Sequence, residues 1–233
     1  MAQMTADQSP PGSTREPAIV LDFWSDVVCP WCYIVKHRIR SAIDAWERPH
    51  EVLLRHRAYE LDPGMPRGER MPVDAADLAD RSDGDDEPGI AVADRVTALA
   101  EAEGLRLDFS RALRANTFDA HRLVALGAAA GGPAQADAIV ERFFSAHLTE
   151  GLAIDDHSVL LRCAAEAGLD ERRVSAVLAD DTYADEVRAD EQEAERLGVS
   201  SVPFVLGNGR VAVRGAQSVP AFTDLLRAAL APA

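Results

Sequence analysis

The stretch Ala18-Ile19-Val20-Leu21-Asp22-Phe23-Trp24-Ser25-Asp26-Val27-Val28-Cys29-Pro30-Trp31-Cys32 joins a short apolar run to two cysteines at C-x-x-C spacing. From Ala18 to Trp24 only Asp22 interrupts the apolar residues, the composition of a strand buried on both faces. Beyond Cys32, the residues Val35, Ile39, Ala42, Ile43 and Trp46 recur at three- and four-residue intervals, so a helix with one apolar face runs toward Pro49. The dithiol therefore opens a helix. With Cys29 as N-cap, Pro30 takes the first helical position, where its missing N–H is no loss and its fixed φ suits a helix start. The free N–H groups of Trp31 and Cys32 then point back toward the Cys29 sulfur, and with the helix dipole they favour a thiolate there. On this reading Cys29 is the attacking thiolate, and Cys32, one turn deeper, is the resolving thiol.

Two other readings of the pair compete. A zinc half-site also uses C-x2-C, but tetrahedral zinc needs two further Cys or His ligands, and no second C-x2-C or H-x3-5-H is present. Inert buried cysteines are the other reading; the helix-opening position favours redox chemistry over both, and no metal and no cofactor is expected. The third cysteine, Cys163, lies in an apolar helical stretch and reads as a small core hydrophobe.

Composition narrows the setting. The 39 acidic side chains exceed the 24 basic ones for a net charge of −15, which repels nucleic acid and anionic lipid alike. Residues 1–17 are rich in Pro, Ser, Thr and Gln, lack the apolar core of ~7–15 residues that a signal peptide needs, and read as a disordered tail. No later run reaches the ~18 uninterrupted apolar residues of a membrane span. An odd number of cysteines argues against a structural disulfide framework, and the expected location is the cytoplasm. Lys36 is the single lysine, with no functional reading from sequence.

Val52–Ala58 returns to a strand pattern, with Val52, Leu54 and Ala58 on one side and Arg55 and Arg57 on the other. Residues 63–89, rich in Pro and Gly and holding the acidic run Asp83–Glu87, read as an exposed linker or flap. Four to six helices are expected from Ile90 to about Leu197. Gly104, Gly131-Gly132 and Gly168 act as stops, and Asp155 or Asp156 as an N-cap. The end of the chain predicts a strand over Val202–Leu206, a Gly207-Asn208-Gly209 turn and a strand over Val211–Arg214. A final helix follows, capped by Ser218 and apolar at Phe222, Leu225, Leu226, Ala229 and Leu230. The division is then a first α/β part at 18–62, a linker at 63–89, an all-helical insertion at 90–195 and a second α/β part at 196–233.

The run Val199-Ser200-Ser201-Val202-Pro203-Phe204-Val205 puts a proline at the head of a strand, which alone marks no more than an edge strand. Taken with the helix-opening C-x-x-C, the helical insertion and the hairpin-helix ending, the chain resembles the DsbA family: an α/β, thioredoxin-like fold with a large all-helical insertion. The FrnE-like branch is the nearest match. It rests on Asp26 to Cys32, on Asn116-Thr117-Phe118-Asp119-Ala120-His121-Arg122-Leu123, on Glu150-Gly151 through Asp156, and on Gly198 to Phe204 followed by Gly215-Ala216-Gln217. The resemblance implies a dithiol-disulfide oxidoreductase or isomerase acting on protein or small-thiol disulfides. It implies a cis peptide before Pro203, packed against the dithiol, and a Val202 backbone that pairs with bound peptide; Pro30 and Trp31 join the substrate-binding set.

Pro-Trp stands here where periplasmic DsbA has Pro-His, so the charge that makes that enzyme a strong oxidant is missing. Asp22 is a candidate for the buried carboxylate that relays the Cys32 proton, with its register left open. His121 and Arg122 either face the cleft or are ordinary polar helix positions. A kappa-type glutathione transferase or 2-hydroxychromene-2-carboxylate isomerase shares this architecture but needs no second cysteine, so Cys32 argues against it. A redox-silent client-binding module is the remaining alternative.

Overall fold

The structure is a computed structural model that describes residues 17–68, 71–72 and 89–231. Residues 1–16 of the expected tail and most of the linker, Asp83–Glu87 included, lie outside the described residues.

Four strands form the main sheet in the order β2-β1-β5-β6: β1 (Ile19–Ser25), β2 (Val52–Ala58), β5 (Phe204–Gly207) and β6 (Val211–Arg214). β1 runs parallel to β2, with Asp22 opposite Arg55, and antiparallel to β5, with Trp24 opposite Phe204. The central position of β1 explains its apolar run, since Ile19, Leu21, Phe23 and Trp24 are all buried. The parallel crossover from β1 to β2 is made by α1 (Pro30–Asp44). The β5–β6 turn takes its shape from Asn208 and Gly209, both at positive φ, as a two-residue hairpin turn requires. A two-stranded ribbon, β3 (Met71–Pro72) with β4 (Leu113–Arg114), lies apart.

Between β2 and β5 run α2 (Gly89–Ala102), α3 (Phe118–Phe144), α4 (His157–Glu166), α5 (Glu171–Ala179) and α6 (Ala184–Arg196). Asp156 caps α4 by accepting from the Ser158 N–H at 2.8 Å, and Gly168 follows at positive φ. Gly131-Gly132 ends a helical segment as expected: at Gly132 the backbone leaves helical geometry (φ 72, ψ −165), and Pro133 opens a second segment, so α3 is two helical pieces joined at a kink. By length and mean hydropathy, residues Phe118–Thr149 resemble a membrane span more closely than an uninterrupted-run criterion suggests. The same segment carries Asp119, Arg122, Asp137, Glu141 and Arg142, each ion-paired within the protein.

The last helix, α7 (Val219–Leu230), packs on α1 and buries Phe222, Leu225, Leu226 and Ala229. Two expectations fail there. Ser218 stands at the N-cap without a side-chain capping bond. Leu230, the last residue of the helix, is 40% exposed.

Candidate active site

Cys29 holds the N-cap of α1 in extended conformation (φ −90, ψ 111), with Pro30 at the first helical position. The Cys32 N–H does not turn to the sulfur as the sequence suggests. The Cys32 and Tyr33 N–H groups donate to the Cys29 carbonyl at 3.1 and 3.2 Å, and the Cys29 side chain makes no capping bond. Its Sγ lies instead 3.9 Å from the carbonyl oxygen of Val202, the residue that precedes Pro203. The Val202–Pro203 peptide is cis. So Cys29 and the Val202-Pro203 turn, 173 residues apart, meet at one place.

The two thiols, both free, differ in setting. Cys29 retains 3% of its surface and Cys32 none. Burial pushes the Cys32 thiol well above its ordinary pKa, and its hydrogen bond to Cys29 and the charges of Cys29 and Asp26 hold the proton further. Trp31 is half-buried at the rim, with the Arg95 guanidinium of α2 5.6 Å from its ring centroid, a cation–π contact between the helical segment and the dithiol loop. Pro30 is buried.

Asp22 does not serve Cys32. Its carboxylate accepts from Arg55 Nε at 2.5 Å and Arg57 Nε at 2.7 Å; burial works against the charge, but the two guanidinium groups hold its pKa below the ordinary value. Side chains alternate along a strand. Phe23 contacts His56, which reaches Asp137 and, through it, Lys36 of α1, whereas the neighbouring Trp24 donates its indole N–H to the Asp190 carbonyl of α6. Asp22 shares the Trp24 face, away from α1.

The carboxylate beside the dithiol is Asp26, 1% exposed. Its Oδ2 accepts from the Leu61 N–H at 2.7 Å, and its Oδ1 faces His121 Nε2 of α3 at 3.4 Å. Burial opposes a charge on His121, but Asp26, with Glu60 and Glu191 behind it, raises the imidazole pKa above its ordinary value. Glu60 Oε2 accepts from Arg188 Nη1 at 2.6 Å, and burial pushes its carboxyl up to about 7. Sequence reading missed Asp26, Glu60 and Arg95. The available signal for Asp26 was a polar residue three positions before Cys29, in the turn that closes a buried strand.

Of the two open positions, His121 faces the rear of the dithiol and Arg122 does not. Arg122, buried, donates to Asp119 Oδ1 at 2.7 Å and to the carbonyls of Val177, Asp180 and Thr182, so it ties α3 to the end of α5 and the segment after it. Cys163 is fully buried in α4. Among the described residues, no three His, Cys, Asp or Glu side chains converge as a metal ion requires.

Residues 20–227 match the family model for the DSBA-like thioredoxin domain. Among solved structures, the chain is similar to a probable DsbA oxidoreductase from Streptomyces coelicolor, with 37% identity, a TM-score of 0.82 and coverage of 91% of this chain and 89% of that one. It shares its fold with the cytosolic disulfide reductase DsbM from Pseudomonas aeruginosa (17% identity, TM-score 0.61, 91% and 98% covered), a protein also solved with GSH. It shares it equally with a 2-hydroxychromene-2-carboxylate isomerase (18% identity, TM-score 0.61, 90% and 93% covered). No curated protein sequence matches the chain. A family match over nearly the whole chain, a C-x-x-C at the start of α1 and a thioredoxin-like sheet together establish that this chain belongs to the DsbA-like thiol-disulfide oxidoreductases.

Proposed function

We propose that the chain is a cytoplasmic dithiol-disulfide oxidoreductase of the FrnE-like branch, acting on protein disulfides with Cys29 as attacking and Cys32 as resolving thiol. The observation that carries this reading is the asymmetry of the pair at the Val202-Pro203 turn. Cys29 faces a backbone carbonyl that an extended client can approach, and Cys32 lies sealed behind it with its proton held. The Pro30-Trp31 pair and the Asn116–Leu123 stretch support the branch.

The exchange balances in two steps. The Cys29 thiolate attacks one client sulfur; a Cys29–client bond forms, the client S–S bond breaks, and the other client sulfur leaves with the electron pair and takes a proton from water. Cys32 then gives up its proton and attacks the Cys29 sulfur, releasing the second client thiol. The client disulfide gains two electrons and two protons, and the dithiol loses them. A thiol reductant restores the dithiol, and the reverse sequence oxidises a client dithiol. Asp26 and His121 line the way out for the Cys32 proton.

Cys29→Ser is expected to abolish insulin reduction and the refolding of scrambled ribonuclease, and Cys32→Ser to accumulate client mixed disulfides on denaturing, non-reducing gels. Full activity in Cys29→Ser overturns the assignment. Glutathione conjugation at full rate by Cys32→Ser would favour the kappa-type transferase reading instead.

A further inference from the structure

Between the segment that follows β2 and the last turns of α6 lies an open cleft of about 320 Å³ lined by Tyr59, Glu60, Pro63, Glu191, Glu195 and Val199. Three of the six lining residues carry carboxyl groups. Arg188, outside the lining, pairs with two of them: its Nη1 is shared between Glu60 Oε2 and Glu191 Oε2, both at 2.6 Å. Glu60 is the deepest of the three, its side chain 1% exposed, and its second oxygen, Oε1, is buried with no hydrogen-bond partner. A buried carboxyl oxygen left unpaired is costly unless a donor reaches it.

The cleft is tied to the reacting sulfur from both walls. Glu60 precedes Leu61, whose N–H holds Asp26, and Val199 precedes by three residues the Val202 carbonyl that faces Cys29 Sγ. Three residues reach at most about 10 Å.

We propose that this cleft takes an arginine or lysine side chain of the client polypeptide, two to four residues from the cysteine under attack, and so selects basic segments. The inference rests on the exchange reading above. Carboxylates of Glu191 and Glu195 attract the cation at the mouth, the Tyr59 ring flanks its apolar stem, and the unpaired Glu60 oxygen accepts from its head group. Like charge in the client meets repulsion from the same groups.

The test uses capped peptides that differ only at the residues flanking one cysteine (arginine, alanine or glutamate), each as a mixed disulfide with 5-thio-2-nitrobenzoate, and follows release of the yellow thiolate by the reduced full-length protein. The arginine peptide is expected to react about tenfold or more faster than the glutamate peptide at low salt. Glu191→Gln/Glu195→Gln is expected to bring that ratio below about two, whereas Glu171→Gln/Asp224→Asn, which removes equal charge from other faces, keeps it. A wild-type ratio near one, or equal loss in the two double variants, overturns the cleft, since the preference would then be absent or a property of net charge. Undiminished release by Cys29→Ser would overturn the exchange reading itself, a result separable from either. Thermal melts of each variant establish that it is folded.

Discussion

Asp26 Oδ1 and His121 Nε2 face each other at 3.4 Å, and neither atom has a hydrogen-bond partner in the interior. The pair thus makes charge contact without a full hydrogen bond, directly behind Cys32. The negative charge of Asp26 adds to the forces that hold the Cys32 proton, and a protonated His121 offsets it. His121→Asn leaves that charge without its counterpart. The resolving step is expected to slow about tenfold near neutral pH, with its pH-rate profile displaced upward by about one unit. Attack by Cys29 on the same client should stay within about twofold. Rapid-mixing traces that separate mixed-disulfide formation from its resolution measure both. Equal slowing of the two steps, or an unmoved profile, would show that His121 only packs.

At the scale of elements, the site depends on how α3 is held. Lys36 of α1 reaches Asp137 at 3.3 Å and Glu141 at 2.8 Å, and Tyr33 donates to Glu141 at 2.8 Å, so the dithiol helix is clamped to α3 by the single lysine of the chain. Its role was invisible in composition and follows from burial. After α3 the chain makes one wider turn, Ser145–Thr149, and reverses at Gly151 (φ 67). A Cβ there would come within 2.4 Å of the Arg111 Cβ and 2.8 Å of its carbonyl oxygen, so both backbone angle and space demand glycine. Gly151→Ala should lower unfolding stability by about 2–3 kcal/mol, against about 1 kcal/mol for Gly104→Ala, where φ is also positive but no atom lies within 4 Å. Urea midpoints of the two variants test the difference; equal losses would contradict the steric account.

For the whole molecule, opposing groups set the pH range of stability. Burial first, and the Glu191 charge with it, raise Glu60 from 4.5 to about 7, so the folded state binds that proton more tightly than the unfolded chain. That contribution is fully present below 4.5 and is lost as pH rises to about 7. His121 acts in the same direction, complete below 6.5 and lost as pH rises through its raised value. Glu141 works oppositely: burial resists its charge, but His37, Lys36 and Tyr33 hold it at about 2, so its contribution disappears as pH falls from 4.5 toward that value. Stability should therefore peak at mildly acidic pH. Glu60→Gln removes the alkaline loss, and its melting temperature relative to wild type should rise by a few degrees between about pH 5 and about pH 8. A difference independent of pH would exclude this origin.

Strands, the dithiol helix and the closing hairpin were readable because each rests on local rules: a buried strand is apolar throughout, a helix repeats every three to four residues, and a positive-φ turn selects Asn-Gly. The same rules misplaced Leu230, whose helical phase is right but which stands exposed at the helix end. They also directed the Cys29 sulfur to the Cys32 N–H, which bonds the Cys29 carbonyl instead. By itself, then, the sequence determined the elements and the place of the C-x-x-C at the start of α1. Only the tertiary structure decided which carboxylate stands behind Cys32, that Asp22 is turned away, that His121 faces the site and that Glu60, Glu191 and Glu195 line a cleft. Those facts depend on which faces meet across separations of tens to more than a hundred residues, and local periodicity carries no information about that.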